Sequence, residues 1–383
     1  MLSYWEQHSL LTYDHIIIGS GIVGLSLAIE LKEKYPAHRV LVLERGLLPT
    51  GASTRNAGFA CMGSPTELLD DLTHMTEAEV LSLFEKRKQG LAILRKRLGD
   101  EHIGYEASGS YELIHKDELY VLDRLDYLNN LLRPITQTTT FRLANEKIEP
   151  FGFRKNDTKA LIENHGEGSL HTGKMMRALM DVALSKSIEI KTGAEVTGFE
   201  EEEQQVAVFV KDSLWQDHLT LCAHTLSICT NAFAKQLLPE EELTPGRGQV
   251  LITKPITKLP FKGVFHFDKG YYYFREIEGR VLFGGGRNLD IEGETTTSFG
   301  ENELILHDLK SKLKEIILPA IPFEVERQWS GIMAFGTNKQ PIVKALSHRI
   351  FGAFRMGGMG VAMGSKVAEE LAEKIQIHTA NFS

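Results

Sequence analysis

The stretch DHIIIGSGIVG, residues 14–24, decides the fold of this chain. Residues 15–18 are a short apolar run that predicts a buried parallel strand, and the apolar spacing over residues 22–31 predicts a helix directly after it. A second apolar run, VLVLER, follows at residues 40–45 and ends in Glu44. Strand, glycine turn, helix and strand in this order are typical of the βαβ unit that opens a Rossmann-like domain.

The turn itself has the glycine spacing G-x-G-x-x-G. Gly19 permits the tight turn, Gly21 lets the backbone approach a pyrophosphate, and Gly24 allows the helix to pack against the strand. Glu44 follows Gly24 by 20 residues, and its carboxylate suits ribose hydroxyls while repelling a 2′-phosphate. These parts together predict dinucleotide binding, whereas the glycines alone would also fit an αβ turn without a ligand.

Charge and cysteine content exclude several classes of function. The 383-residue chain has a formal net charge of −8 and no basic run, which disfavours nucleic-acid binding. Its three cysteines, Cys61, Cys222 and Cys229, lack the spacing of a zinc site or a disulfide framework, so we expect no metal. No apolar run has membrane-spanning length and no secretory signal is evident. We therefore expect a cytoplasmic enzyme with no nucleic-acid or membrane partner.

The order of the predicted elements indicates an α/β fold in which two domains are interleaved. We assign residues 12–64, 166–240 and 341–383 to a discontinuous Rossmann-like FAD/NAD(P)-binding domain. Residues 65–165 and 241–340 form an inserted α+β substrate domain with a mixed sheet, because β-rich stretches dominate residues 247–285. The interleaving explains why no linker separates two halves.

Two further glycine-rich segments fit a ligand with two polar ends. GASTRNAG, residues 51–58, offers small residues and Arg55 and is expected to be a loop around a pyrophosphate and a flat ring. MGGMGVAMG, residues 356–364, precedes a predicted helix whose N-terminus can face a developing negative charge. A flavin dinucleotide has both features, a pyrophosphate and a ring edge that becomes anionic on reduction. An ordinary polar loop and a strand–helix turn are the alternatives for the two segments.

Eight segments along the chain occur in one order: GSGIVG with Glu44, STRNAG, AEVTGFE, CTNAFA, PGRGQV, YYYFR with GRVLFGGG, WSGIMAFGTNKQPIV and GGMGVAMG. With these segments the chain resembles the D-amino acid oxidase family of FAD-dependent oxidoreductases, which includes glycine and sarcosine oxidases. The resemblance covers nearly the whole chain. It implies a FAD-binding domain of the glutathione-reductase type and FAD that is bound without a covalent link.

The resemblance also implies which residues contact the cofactor. The set comprises Gly19, Gly21, Ile22, Val23, Gly24, Glu44, Arg45, Ser53, Thr54, Arg55, Asn56, Ala57, Gly58, Val196, Thr230, Asn231, Gly358, Met359, Gly360, Val361 and Met363. It implies further that the tyrosine-rich strand 271–275 faces the substrate across the flavin ring.

Two departures from the family pattern concern the substrate. Glycine and D-amino acid oxidases carry an arginine for the substrate carboxylate at the position of Met333, and a methionine cannot make that ion pair. We therefore expect Arg275 or Arg287 to replace it, with Tyr272 and Met333 as further substrate contacts, unless the substrate has no carboxylate. Monomeric sarcosine oxidases carry a lysine that promotes oxygen reduction, and this chain has Phe283 at the aligned position. This replacement favours a dehydrogenase over an oxidase.

The activity that the resemblance implies is oxidation of a C–N bond of a small amine or amino acid to an imine, with hydride transfer to the flavin. One alternative is a FAD-dependent 2-hydroxy-acid dehydrogenase, which would need a base, such as a histidine, for the hydroxyl proton. Another alternative is a FAD-binding protein without turnover. The sequence assigns neither the substrate nor the electron acceptor.

Overall fold

A computed structural model describes residues 2–212 and 218–379. Its strands, in chain order, are β1 (Thr12–Ile18), β2 (Val40–Glu44), β3 (Phe59–Ala60), β4 (Ser110–Ile114), β5 (Arg142–Leu143), β6 (Ala160–Asn164), β7 (Gly168–Ser169), β8 (Glu189–Thr192), β9 (Val196–Glu201), β10 (Val206–Val210), β11 (Leu219–Ile228), β12 (Thr244–Thr253), β13 (Val264–Phe267), β14 (Tyr272–Ile277), β15 (Arg280–Gly285), β16 (Val325–Phe335), β17 (Ile342–Ala345) and β18 (Ile350–Phe354).

The α-helices are α1 (Tyr4–Ser9), α2 (Ile22–Lys34), α3 (Ala52–Arg55), α4 (Pro65–Asp71), α5 (Glu77–Leu98), α6 (Asp100–Ile103), α7 (Leu125–Thr136), α8 (Thr172–Ser185), α9 (Glu303–Lys312) and α10 (Gly360–Thr379). Shorter helical turns occur at Asn231–Gln236 and Arg287–Leu289. No helix in the described part of the chain combines the length and the apolar character needed to span a bilayer.

The first sheet carries the βαβ unit that the sequence predicts. Among the described residues its main order is β17-β18-β11-β1-β2-β8, and β10 and β9 extend it from β11. The central strand β1 pairs in parallel with β2 and β11. Ile16 and Ile17 of β1 are fully buried on opposite faces of the sheet, in two separate apolar clusters. This burial on both faces is why β1 is nearly continuously apolar.

The second sheet has one apolar face and one face toward the first domain. Its order is β16-β12-β15-β14-β13-β4-β6-β5, and it is mixed because β13 and β4 run parallel while the other pairs are antiparallel. Phe265, Phe274 and Phe283 are fully buried on the first face, in the same cluster as Leu306 of α9. The second face carries Tyr273, which packs in a smaller cluster with the segment after α3. This second face forms one wall of the site described below.

The predicted α/β fold with an interleaved mixed sheet is confirmed. Strands of the first sheet fall within residues 12–64, 166–240 and 341–383, and those of the second within 65–165 and 241–340. The exact division into two domains stays a prediction, and its residues 213–217 and 380–383 lie outside the described part of the chain.

One local expectation differs from the structure. Residues 51–58 were expected to be a loop, but they contain the single-turn helix α3. The side-chain amide of Asn56 donates to the carbonyls of Ala52 and Ser53, at 3.1 and 2.9 Å. These hydrogen bonds close the turn, because the side-chain amide takes the place of backbone donors beyond the end of the helix.

Candidate active site

A long cavity of about 680 Å³ lies between the two sheets. One end is bounded by the glycine turn after β1 and by Glu44 and Val196. The other end is bounded by the second sheet, α4 and the segment after β16. The volume lies within the range of about 300–1,000 Å³ that small-molecule sites occupy. We call the two halves the dinucleotide end and the substrate end.

The glycine turn forms the floor of the dinucleotide end. A Cβ on Gly21 would lie 2.9 Å from the Ser53 hydroxyl, and one on Gly24 would collide with the carbonyl of Gly19. Gly19 itself has a φ of +102°, a backbone angle that residues other than glycine rarely adopt. No side chain caps α2 at Gly21, although the Ile22 amide donates to Ser53 Oγ at 3.0 Å. The turn therefore offers a close backbone approach at a helix N-terminus, as pyrophosphate binding requires.

Glu44 lies in the cavity wall at the end of β2, where the sequence predicts it. Its Oε2 accepts hydrogen bonds from the amide and the hydroxyl of Ser20, at 3.2 and 2.7 Å, and its Oε1 accepts one from the Gly46 amide at 3.0 Å. These bonds fix the direction of the carboxylate and leave further acceptor capacity, because each carboxylate oxygen has two lone pairs.

Two flat side chains beside Glu44 pack against each other. The guanidinium of Arg45 stacks over the Phe233 ring at 3.9 Å from the centroid and donates to Gln236 at 3.3 Å. Val196, at the start of β9, lines the same part of the cavity. The resemblance implies that Arg45 and Val196 contact the cofactor. It does not single out Phe233, which lies in the matching segment CTNAFA and belongs to a helical turn almost 200 residues from Arg45.

The middle of the cavity is lined by the segment around α3 and by Thr230 and Asn231. Arg55 lines the cavity, but its guanidinium donates to the carbonyls of Thr50 and Ser330, at 3.0 and 2.9 Å. The hydroxyl of Thr230 is buried and has no hydrogen-bond partner among the described residues. A buried polar atom without a partner at a ligand cavity fits a group that the ligand would supply.

The C-terminal glycine turn closes this middle part. Asn231 Oδ1 accepts from the amides of Arg355 and Met356, both at 3.1 Å, and so fixes the turn before α10. The predicted residues of the turn all line the cavity: Gly358, Met359, Gly360, Val361 and Met363. The start of α10 therefore faces the cavity, as the sequence predicts for an anionic ring edge.

Most of the predicted cofactor residues line the cavity, and three do not. The lining includes Gly19, Gly21, Ile22, Val23, Glu44, Arg45, Ser53, Arg55, Asn56, Ala57, Val196, Thr230 and Asn231 in addition to the C-terminal turn. Gly24 lies behind the turn and allows helix packing, Thr54 donates to Pro49 within its own loop, and Gly58 has a φ of +73° beside Leu170. These three shape the cavity without forming its surface.

At the substrate end, the structure corrects two predicted contacts. Tyr272 lies outside the cavity: its ring is 1% exposed within the apolar core and its hydroxyl donates to Asp308 at 2.8 Å. Arg275 is 4% exposed, and its Nη1 donates to the carbonyls of Ala57, Gly58 and Leu170, the last at 2.7 Å. Arg275 therefore ties the cofactor loop to the second sheet and does not reach the cavity.

Strand alternation explains the correction for Tyr272. Successive side chains of a strand point to opposite faces, so Tyr272 faces the core while Tyr273 faces the cavity. Phe283, aligned by sequence with a catalytic lysine of relatives, also faces the apolar core and is fully buried. It therefore carries no information about oxygen reactivity.

Arg287 and Met333, by contrast, do line the cavity. The Arg287 guanidinium stacks over the Phe335 ring at 4.4 Å from the centroid. Its Nε is buried without a hydrogen-bond partner, and within the described residues no carboxylate lies at ion-pair distance. Burial lowers the pKa of Arg287 from its ordinary value, with Tyr271 and Glu294 acting in the opposite direction. A free, partly desolvated cation of this kind is suited to an anionic group of a ligand.

A charged cluster at the substrate end has no counterpart in the sequence prediction. Lys339 Nζ lies 3.0 Å from Glu67 Oε1 and 2.5 Å from Asp71 Oδ1, and all three residues line the cavity. Burial raises the pKa of Glu67, but the nearby cations Lys339 and Arg87 outweigh it and lower that pKa to about 2. Burial also raises the pKa of Asp71. Lys339 lies in the segment that relatives share, but α4, which carries its partners, is not among the matching segments.

Comparisons with known proteins agree with this geometry. A model of the DAO family, described as FAD dependent oxidoreductase, matches residues 14–374. The probable oxidoreductase OrdL of Haemophilus influenzae is 20% identical over 393 residues, which cover 94% of this chain and 82% of that protein.

Two solved structures share the fold over almost their full length. L-proline dehydrogenase from P. horikoshii has a TM-score of 0.76 and 19% identity, covering 96% of this chain and 94% of its own. Glycine oxidase from Geobacillus kaustophilus has a TM-score of 0.76 and 18% identity, covering 96% and 95%. At this level of identity they establish the fold.

Proposed function

The chain belongs to the DAO family of FAD-dependent oxidoreductases, and we propose that within this family it oxidises a C–N bond of a small amine or amino acid to an imine. The bound flavin supplies the hydride acceptor. The two structural neighbours support this choice of substrate class, because one is a dehydrogenase of L-proline and the other an oxidase of glycine.

The residues of the dinucleotide end fit FAD. The glycine turn at the N-terminus of α2 provides a close backbone approach, and the unpartnered hydroxyl of Thr230 provides a free donor. Arg45 and Phe233 provide flat surfaces beside Glu44. We propose non-covalent attachment. Burial raises the pKa of the Cys61 thiol well above its ordinary value, so that this cysteine stays unreactive.

The observation that carries the proposal is that Arg287 lines the substrate end and that its buried Nε has no hydrogen-bond partner among the described residues. An arginine desolvated without a fixed carboxylate partner is costly unless a ligand supplies the partner. We propose that Arg287 binds the substrate carboxylate, in place of the arginine that relatives carry at Met333. Met333 then packs against the apolar part of the substrate, and Tyr273 forms the opposite wall.

In this arrangement the protein performs three tasks. Arg287 fixes one end of the substrate, which orients the carbon that loses hydride. The aromatic walls around Tyr273 and Phe335 exclude water and so strengthen the charge contacts inside. The substrate nitrogen must be uncharged before hydride leaves the neighbouring carbon, because a positive nitrogen opposes that transfer. Water then hydrolyses the imine after its release.

The substrate test is an anaerobic titration of the holoenzyme with amines, N-methyl amino acids and 2-hydroxy acids, monitored at the visible flavin absorbance. Bleaching by amines alone supports C–N oxidation. Bleaching by hydroxy acids alone would replace it with 2-hydroxy-acid oxidation, and no bleaching by any reductant of either class would favour a protein that binds FAD without turnover.

The anchor test is Arg287→Ala. Loss of a desolvated charge partner costs about 2–5 kcal/mol, so the Kd of a carboxylate-bearing substrate should rise about 30-fold or more. Arg287→Lys should restore only part of the affinity, since an ammonium cannot make two parallel hydrogen bonds. The matched control is Arg327→Ala, a 78% exposed arginine in β16 of the second sheet. An unchanged Kd in the Arg287 variants would exclude the carboxylate anchor.

A further inference from the structure

Three titratable side chains form a row across the second sheet. Glu112 of β4 lies opposite His266 of β13, and His266 lies opposite Tyr273 of β14. Paired residues of neighbouring strands project to the same face of a sheet. Because Tyr273 lines the substrate end of the cavity, the row leads from the cavity into the interior.

His266 has open space on two sides. It lines the large cavity and also a second, small cavity of about 10 Å³ that it shares with Glu112 and Ser64. Its ring packs edge-on against Phe59, with centroids 5.1 Å apart. Among the described residues neither ring nitrogen has a hydrogen-bond partner. The ring nitrogens are therefore available to groups in the two cavities.

Glu112, behind His266, is 2% exposed and held by donors from the start of α4. Its carboxylate accepts from Ser64 Oγ at 2.7 Å, from the Thr66 amide at 3.1 Å and from the Thr66 hydroxyl. The small cavity between Glu112 and His266 is close to the volume of one water molecule. One water there would connect the two side chains.

We propose that His266 accepts the proton that an ammonium substrate must lose, and that Glu112 receives this proton from His266 through one water. The inference rests on the proposed C–N oxidation. The N–H bond of the ammonium breaks, its electron pair stays on nitrogen, and the proton binds a neutral His266 ring nitrogen. A second transfer leaves His266 neutral and Glu112 protonated, and nothing is oxidised or reduced in either step.

The protein environment makes the pKa of Glu112 higher than that of His266, which favours proton transfer from His266 to Glu112. Burial lowers the pKa of His266 to about 4, although the nearby Glu67 acts in the opposite direction. Burial raises the pKa of Glu112 to about 7, against the hydrogen bonds from Thr66 and Ser64. Tyr273 is kept protonated, since burial raises its pKa to about 12. His266 is thus neutral at pH 7, and the proton moves from the weaker base to the stronger one.

The first experiment measures the rate of anaerobic flavin reduction by the best amine substrate between pH 5 and 10. In the wild type the rate should rise with pH through an inflection near 7, because Glu112 must lose its proton to accept another. His266→Asn should lower the rate at pH 7 by about 100-fold or more. The loss should shrink at high pH, where free amine is present, and the substrate Kd should change less than threefold.

Two further variants separate proton transfer from structure. In His266→Ala, added imidazole should restore part of the rate. Glu112→Gln should remove the inflection near pH 7 while leaving the flavin spectrum unchanged. The matched control is His307→Asn, an exposed histidine of α9, which should behave as wild type.

A readout without substrate uses holoenzyme with ¹⁵N-labelled histidine rings. The His266 signals should shift near pH 7 as Glu112 titrates, and this shift should vanish in Glu112→Gln. The proposed proton transfer from His266 to Glu112 would be excluded by a wild-type pH profile in both His266 variants. It would also be excluded if the His266 signals did not shift as Glu112 titrates. If no amine reduces the wild-type flavin, the proposed function fails instead. If His266→Asn does not fold, the labelled Glu112→Gln protein decides.

Discussion

The two ends of the cavity are built in different ways. The dinucleotide end is formed largely by backbone at the glycine turns, and its first turn is continuous in sequence from Gly19 to Gly24. The substrate end is formed by side chains from α4, β13, β14 and the segments after β15 and β16. Ligand binding at the dinucleotide end therefore depends on space near the backbone. At the substrate end it depends on how charged groups are paired. Substitutions at the dinucleotide end should therefore change FAD affinity, whereas those at the substrate end should change stability or substrate affinity.

The largest effect is expected for Gly21→Val, which tests the role of space. Gly21 has an extended φ of −75°, so valine is compatible with the backbone, but its Cβ would crowd Ser53 at the helix N-terminus. FAD affinity should fall about 100-fold or more, which corresponds to about 3 kcal/mol, while the apoprotein still folds. Reconstitution of apoprotein followed by FAD fluorescence measures the Kd.

The control for this experiment is Gly198→Ala in β9, where a Cβ would make only an ordinary contact with Phe209 at 3.5 Å. Gly198→Ala should bind FAD as the wild type does. Equal FAD affinity in Gly21→Val and wild type would remove the assignment of the glycine turn to the pyrophosphate.

The second effect concerns pairing at the substrate end, where Arg275 and Arg287 should respond in opposite ways. Arg275→Ala removes the buried guanidinium donor from the carbonyls of Ala57, Gly58 and Leu170, although the Gly58 carbonyl keeps its bond from the Leu170 amide. A buried polar group without a hydrogen-bond partner costs about 1–3 kcal/mol, so the free energy of unfolding should fall by about 3 kcal/mol. Arg287→Ala removes an unpaired cation and should change that free energy by less than about 1 kcal/mol. Urea denaturation followed by tryptophan fluorescence measures both.

The substrate Kd provides the complementary measurement for this pair. Folded Arg275→Ala protein should keep the wild-type Kd, and the Arg287 variant should lose affinity. A large loss of stability in Arg287→Ala, or a raised Kd with normal stability in Arg275→Ala, would reverse the roles given to the two arginines.

The smallest effect is expected for Thr230→Val, which asks whether a side chain also contributes at the dinucleotide end. The buried hydroxyl has no partner among the described residues, so its removal should leave the apoprotein as stable as the wild type or more stable. If the hydroxyl bonds to FAD, the Kd for FAD should rise about 3- to 10-fold in the variant, because one hydrogen bond contributes a net free energy of about 0.5–1.5 kcal/mol.

Thr225→Val is the matched control in β11, the strand that leads to Thr230. The Thr225 hydroxyl is paired with His15 at 2.7 Å, so this variant should lose stability and keep its FAD affinity. A Thr230 variant that loses stability but binds FAD normally would show that the hydroxyl has a structural partner.

The substrate end also shows where sequence reasoning stopped. Alternation along β14 predicts that Tyr272 faces away from Tyr271 and Tyr273, and the structure has this arrangement. Three identical residues carry no contrast in polarity, so the pattern could not show which face is the core. The sequence therefore predicts Tyr272 as a substrate contact, whereas the structure places it in the core. The position of Phe283 rests on sequence alignment, which does not reveal which face of the sheet a residue occupies.

The sequence by itself determined the βαβ unit, its glycine turn with Glu44, the α/β fold and the family. The βαβ unit and its turn are local, because a period of hydrophobicity, a glycine spacing and a helix start within some 30 residues suffice to specify them. The family follows from eight segments that occur in one order along nearly the whole chain. Only the tertiary structure decided that Arg275 is buried under the cofactor loop while Arg287 is free, and that Glu112 and His266 share a row. Those relations depend on strand register and on contacts between residues more than 100 positions apart, and the burial that sets their charges exists only after the two sheets have packed.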